Sequence, residues 1–140
     1  MAARTSEKIL KPAANGMKNN SLSRLIISFS GKCALNCQYC YAPFNGKRPS
    51  DEILLDILNF AKAENINIIT FGGGDPFQYS GFRKILPLSK KLGFHVHVDT
   101  HGIGFQSSDF ELIKASVDLI GLPMEGPKEI HDTMRERAEF

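Results

Sequence analysis

The sequence predicts an α/β fold of repeated β/α units on a parallel sheet, and three observations lead there. Four short apolar or β-branched runs alternate with segments of helical spacing, the pattern of parallel strands joined by crossover helices. Each run ends in glycine-rich or polar punctuation, and in such sheets ligands gather at the carboxyl ends of the strands. The 140 residues, 42% apolar and 23% charged, are enough for one domain with a real core.

The first strand is Arg24-Leu25-Ile26-Ile27-Ser28-Phe29-Ser30, closed by Gly31. Pro43, Gly46 and Pro49 make 41–49 a loop. Ser50 then fits an N-cap, with Asp51 and Glu52 favourable in the first turn. Ile53, Leu54, Ile57, Leu58 and Ala61 recur at helical spacing and predict a helix over 51–64. Asn67-Ile68-Ile69-Thr70-Phe71 is the second strand. A helix is expected within 81–92, kinked or started late by Pro87. Phe94-His95-Val96-His97-Val98-Asp99 alternates as a third strand. Ser107 or Ser108 is expected to cap a third helix reaching Ala115, and Val117-Asp118-Leu119-Ile120-Gly121 is the fourth strand. Pro127 suits a first helical position, so the last helix follows it to the end of the chain.

All three cysteines fall in one stretch, Cys33-Ala34-Leu35-Asn36-Cys37-Gln38-Tyr39-Cys40-Tyr41, spaced C-x3-C-x2-C. Reduced thiols can simply pack as small apolar groups. With His95 or His97 they could form a Cys3His zinc site. Iron–sulfur clusters usually take four cysteines; three would leave one iron open to a ligand the protein does not supply. An odd count and no secretory stretch argue against a disulfide framework.

Three more motifs sit at strand ends. Gly72-Gly73-Gly74-Asp75-Pro76 lets backbone groups approach a ligand or makes a tight turn, and it lacks the Lys-Ser/Thr of a phosphate loop. Asp99-Thr100-His101-Gly102 follows the third strand. Met124-Glu125-Gly126-Pro127 follows the fourth, with His131, Asp132 and Arg135 on the next helical turn, where they can brace the helix and its loop.

A net charge of +2 gives no electrostatic argument for nucleic acid, and no run approaches the roughly 18 apolar residues of a membrane span. Residues 1–20 carry Arg4, Lys8, Lys11 and Lys18 against Glu7, a mobile basic tail or a weak organelle-targeting signal. Residues 21–140 form the predicted domain, and a reducing cytoplasm is the expected compartment.

Cys33-x3-Cys37-x-Tyr39-Cys40, with its aromatic residue before the third cysteine, resembles the signature of the radical S-adenosylmethionine (SAM) superfamily. Tyr41 extends it to the Cys-x-Tyr-Cys-Tyr form of peptide- and protein-modifying members. Gly73-Gly74-Asp75-Pro76 is similar to the Gly-Gly-Glu-Pro element that holds the amino group of SAM, with Asp for Glu. Thr100-His101-Gly102 stands where many members have Thr-Asn-Gly. Glu125-Gly126-Pro127 through Arg135 resembles the Asp-Gly-Pro to Arg stretch of the sulfatase-maturase-like branch, with Pro123 in place of a common serine.

The resemblance implies a partial TIM-type barrel, about four β/α units of an expected six, apparently truncated at its C-terminus. It implies that Cys33, Cys37 and Cys40 bind a [4Fe–4S] cluster whose open iron takes SAM. Gly72, Gly73, Gly74, Asp75 and His101 would contact SAM, Tyr39 would pack beside the adenine, and Glu125 would accept from ribose hydroxyls. A flavodoxin or ferredoxin would supply the electron, and the substrate could be a peptide or protein. The alternative is a non-catalytic iron–sulfur or zinc-binding module on a partial barrel; the glycine loop favours the enzyme, the short chain the module.

Overall fold

The computed structural model describes residues 23–29, 31, 33–42 and 47–135. The basic tail expected over 1–20 and the helical residues expected after Arg135 lie outside them.

Strands β1 (Arg24–Ser28), β2 (Ile68–Gly72), β3 (His95–Asp99) and β4 (Leu119–Gly121) form one parallel sheet in the order β1-β2-β3-β4. Helices α1 (Asp51–Ala63), α2 (Phe82–Lys91) and α3 (Asp109–Ser116) lie between successive strands, and α4 (Lys128–Arg135) follows β4. No strand is skipped in that order. A doubly wound sheet reverses its order at a switch point, whereas a β/α barrel wall does not. The sheet is therefore four units of a barrel-type wall: parallel as the alternation predicted, and barrel-like as the family resemblance implied.

Each helix forms for a local reason. Ser50 caps α1, its hydroxyl accepting from Ile53 N at 3.2 Å, and Leu54, Leu58 and Ala61 line its buried face. Each such leucine stabilises the core by about 1.5–3 kcal/mol. Asn65, at φ 57°, turns the chain out of the helix towards β2. In α2 the residues Phe82, Ile85, Leu86 and Ser89 point inward, and the helix continues through Pro87 without the late start expected. The proline is exposed, so its missing donor is the local cost and no packing is disturbed.

The start of α3 differs from expectation. Ser108 occupies the N-cap position but makes no side-chain cap bond. Asp109, the first helical residue, instead ties the turn before α3 to α2: its Oδ2 accepts from Gln106 N at 2.7 Å and from Arg83 Nη2 at 2.6 Å, and Oδ1 accepts from Arg83 Nε at 2.7 Å.

The two faces of the sheet have opposite characters. Ile27, Ile69, Phe71, Val96 and Val98 are buried beneath the helices, joined by Phe29, Phe77 and Phe82. Phe29 and Phe82 pack edge-on with ring centroids 5.0 Å apart. The other face carries Ile26, Ser28, Thr70, His97, Asp99 and Leu119 and is open enough that Ile26 is 63% exposed. His97 sits there between Thr70 Oγ1 at 3.4 Å and Asp99 Oδ1 at 3.1 Å, while His95 pairs with Asp118 at 3.7 Å.

Candidate functional site

The carboxyl ends of all four strands open onto one cavity of about 380 Å³. Cys33, Cys37 and Cys40 line it from the loop after β1, Gly73 and Gly74 from the loop after β2, Thr100 and His101 from the loop after β3, and Leu122 and Pro123 from the segment after β4. Three of the four motifs picked out in the sequence thus converge on one place, while Met124-Glu125-Gly126-Pro127 stays outside the lining and only Arg135 of the stretch after it reaches in.

The glycine loop is shaped by backbone conformation. Gly73 and Gly74 both sit at φ +69°, where a side chain is strained. A Cβ on Gly73 would also lie 2.9 Å from the backbone Cα of Ser28. Only glycine fits, and its peptide groups reach the cavity unshielded. Gly72 differs: it ends β2, pairs with Ser28, and its carbonyl accepts from Phe29 N at 2.7 Å, so it belongs to the sheet and does not line the cavity.

Asp75 is 1% exposed and turned away from the cavity. Its Oδ1 accepts from Phe77 N at 2.9 Å, capping a 3-10 turn at Pro76–Gln78. Its Oδ2 accepts from Thr100 Oγ1 at 2.7 Å and His101 N at 2.9 Å, and His101 Nε2 lies 3.2 Å away. Arg83 adds a second tie between the same loops, donating to Phe77 O at 3.0 Å and Gly104 O at 3.2 Å. The carboxylate expected to touch a ligand is instead the post that holds the two loops together.

Burial lowers the His101 pKa, with Asp75 pulling it up and Arg135 pushing it down further. Its Nδ1 accepts from Ile103 N at 3.1 Å, which leaves the proton on Nε2, facing Asp75. His101 is thus a neutral Nε2–H imidazole on the cavity wall.

The cysteine loop is held from the side of α4. Gln38 N donates to Met134 O at 3.3 Å, and Cys37 Sγ lies 3.8 Å from Arg135 O. Tyr39 Oη donates to Glu125 Oε1 at 2.5 Å, and Arg135 donates to the same oxygen from Nε at 3.0 Å and Nη2 at 2.9 Å. The Arg135 guanidinium carbon stands 5.9 Å from the centre of the Tyr39 ring. Tyr39 and Arg135 line the cavity; Glu125 sits behind them. Burial and the bond to Glu125 push the Tyr39 phenol up to about 12, while the same bond and Arg135 hold the Glu125 carboxyl low.

The three cysteines are unpaired thiols, two half-buried and Cys40 exposed. Burial pushes the Cys33 thiol up, and negative charge on Asp75, Cys37 and Cys40 pushes it further. Thiolates crowded this way are relieved by a bound cation, whose attraction displaces their protons. Among the described residues no three side chains converge as a cage for a single ion. The histidines considered for zinc are engaged with Asp118, Thr70 and Asp99. Three thiols around one open cavity, beside a bare glycine backbone, fit a cluster that binds each cysteine through a different iron.

Asp99, which heads the Asp99-Thr100-His101-Gly102 motif but was given no ligand role in the sequence, is the one carboxylate among the described residues lining the cavity. The signal was its register: it stands between Gly72 and Gly121 at the strand ends, where neither neighbour has a side chain to cover it.

Comparison with known proteins gives the same picture. The family described as "Radical SAM superfamily" matches residues 27–140. An S-adenosylmethionine-dependent nucleotide dehydratase from Lacinutrix mariniflava is 26% identical over 133 residues, covering 86% of this chain and 28% of its own length. Among solved structures, Streptococcus suis SuiB bound to the precursor peptide SuiA superposes with a TM-score of 0.72 at 20% identity, covering 81% of this chain and 27% of SuiB, which shows the fold. Native anSMEcpe with bound AdoMet and Cp18Cys peptide gives a TM-score of 0.65 at 25% identity, covering 80% and 34%. The chain thus spans about a third or less of each of these proteins.

Proposed function

Because the chain belongs to the radical SAM superfamily, whose cofactors are a [4Fe–4S] cluster and SAM, we propose that it is the cofactor-binding part of an enzyme that cleaves SAM reductively and abstracts hydrogen from a substrate. The observation that carries this reading is the convergence of Cys33, Cys37, Cys40, Gly73 and Gly74 on one cavity. A purely structural cluster needs no strained glycine loop beside it.

Cys33, Cys37 and Cys40 would hold the cluster, which when bound would supply the one-electron reduction of SAM. The chain's own contribution is placement. Gly73 and Gly74 offer backbone groups to the SAM amine, a role in which Gly72 and the buried Asp75 take part by fixing the turn. His101, as a neutral donor–acceptor, and Thr100 shape the wall beside it. Leu35, Ala42, Leu122 and Pro123 line the same space with apolar surface. The electron would come from a flavodoxin or ferredoxin.

Peptide or protein is the favoured substrate class, supported by Cys-Gln-Tyr-Cys-Tyr and by the peptides bound in the two solved structures. The nucleotide dehydratase supports a nucleotide as the second choice. Free thiols suit a reducing cytoplasm, and no helix among the described residues is long and apolar enough to cross a membrane.

The decisive experiment is anaerobic reconstitution with iron and sulfide, then reduction and addition of SAM. The reading expects a cluster EPR signal that changes with SAM, 5′-deoxyadenosine as product, and loss of both in Cys37→Ala. A stable cluster indifferent to SAM would favour the non-catalytic module. Stoichiometric zinc without a cluster would overturn the assignment altogether.

A further inference from the structure

Glu125 reaches three groups through one oxygen. Its Oε1 takes the Tyr39 hydroxyl at 2.5 Å and both Arg135 Nε and Nη2 at 3.0 and 2.9 Å. The partners come from distant parts of the chain, Tyr39 from the cysteine loop and Arg135 from the last turn of α4. Both line the cavity, and Glu125 does not. A carboxylate placed behind two wall residues is poorly sited to touch a ligand and well sited to aim them.

We propose that Glu125 is a positioning residue for the nucleoside end of the cofactor: it fixes the Tyr39 ring and the Arg135 guanidinium as the wall on which the nucleoside lies. This rests on the function proposed above and replaces the expectation that Glu125 itself bonds the ribose. The geometry supports it in three ways. A charge-assisted bond to a carboxylate is short and directional, so it fixes the ring plane as well as its place. The guanidinium is held by two donors on one acceptor, which removes most of its rotational freedom. The latch also joins the cysteine loop to α4, beside the Gln38–Met134 and Cys37–Arg135 backbone contacts, so the wall and the thiols move as one body.

The test uses the full chain, reconstituted anaerobically, with 5′-deoxyadenosine, its 2′-deoxy and 3′-deoxy analogues, and methionine as separate binding probes. Variants are Glu125→Gln, Tyr39→Phe and the two combined. The expected result is that each single variant loses about tenfold in 5′-deoxyadenosine affinity, and that the double variant loses no more than the worse single one. Methionine binding should be unchanged, and each variant should keep the wild-type ratio of affinities across the deoxy analogues. Additive losses, or a Glu125→Gln protein that alone no longer distinguishes the deoxy analogues, would overturn the inference in favour of direct ribose contact. Hydrogen exchange at residues 37–41, measured without iron, should rise in both single variants; unchanged exchange would also overturn it, even if a variant fails to load the cluster. A wild-type protein that loads no cluster and binds no SAM would count against the function itself, an outcome distinct from any of these.

Discussion

His101 Nε2 lies 3.2 Å from Asp75 Oδ2, so two of the residues that depart from the superfamily's pattern touch each other. Asp75 is one methylene shorter than the glutamate it resembles, and His101 is longer than the corresponding asparagine. The shorter carboxylate and the longer donor span the same gap between the loops after β2 and β3. Asp75→Glu should therefore overpack a side chain that is 1% exposed and cost about 1–3 kcal/mol. His101→Asn should cost less, since Thr100 and the His101 amide still serve Oδ2. The pair together should recover part of the loss. Urea unfolding of the two singles and the double measures the coupling; additive costs would show that the substitutions are unrelated.

Burial of the same histidine makes stability depend on pH. Burial, opposed by Asp75 and aided by Arg135, lowers the His101 pKa below its unfolded value of 6.5. The unfolded chain then binds more protons than the folded one just below that pH. The contribution of the neutral imidazole is complete above 6.5 and is lost as pH falls from there through the folded pKa. Melting temperatures between pH 7.5 and 5.5 should fall in the wild type and fall less in His101→Gln. Parallel curves would mean that another group carries the slope.

Gly73 offers a sharper test of the glycine loop. Gly73→Ala meets both the positive φ and the Ser28 backbone, and should cost about 1–3 kcal/mol. Gly74→Ala shares the φ penalty. Thermal unfolding should rank Gly73→Ala as the worse of the two, and equal losses would show that φ strain alone decides.

How much of this was legible in the sequence depended on distance along the chain. The strands, the glycine turn and the Ser50 cap are local signals, in which residue type and spacing carry the physics. The cysteine spacing was equally local, and it placed the site. The buried polar ties were not local. Tyr39 and Glu125 are 86 residues apart, and Arg83 and Asp109 are 26 apart, so nothing in either neighbourhood pointed to the partner. By residue type Ser107 or Ser108 was the expected cap of α3, and nothing nearby singled out Asp109. Arg83 decided the matter, because a carboxylate that accepts two guanidinium bonds and a backbone N–H is worth burying.

That pair gives the largest stability effect expected here. Asp109 is 1% exposed and meets Arg83 with two short bonds. Asp109→Ala strands a partly buried guanidinium and opens the start of α3, at a cost of about 3 kcal/mol. The Arg83 bonds hold the Asp109 carboxyl below its ordinary value of 3.8, so its stabilising share is present above that pH and lost as acid protonates it. Acid unfolding should begin at higher pH in Asp109→Asn if other carboxylates dominate, and should flatten below pH 4 if Asp109 itself carries the transition. Denaturant titrations at pH 7 and pH 3.5 separate the two.

The sheet's far edge yields the last expectation. β4 is the outermost strand of the described sheet on that side, and Leu119 (49%), Leu122 (60%) and Met124 (67%) are exposed along and beyond it. An uncovered strand of this kind offers backbone donors and acceptors beside apolar side chains, the combination that pairs with other chains. Lysine there adds charge repulsion and a desolvation cost to any such pairing without touching the helix-covered core, since Leu119 faces the open side of the sheet. Leu119→Lys should therefore leave the unfolding free energy within about 0.5 kcal/mol of the wild type. It should also lower self-association at high concentration, which sedimentation velocity detects directly. Unchanged association with unchanged stability would move the sticky surface elsewhere, to exposed apolar side chains on the helices such as Ile53 and Phe60 on α1, Phe110 on α3 or Ile130 on α4.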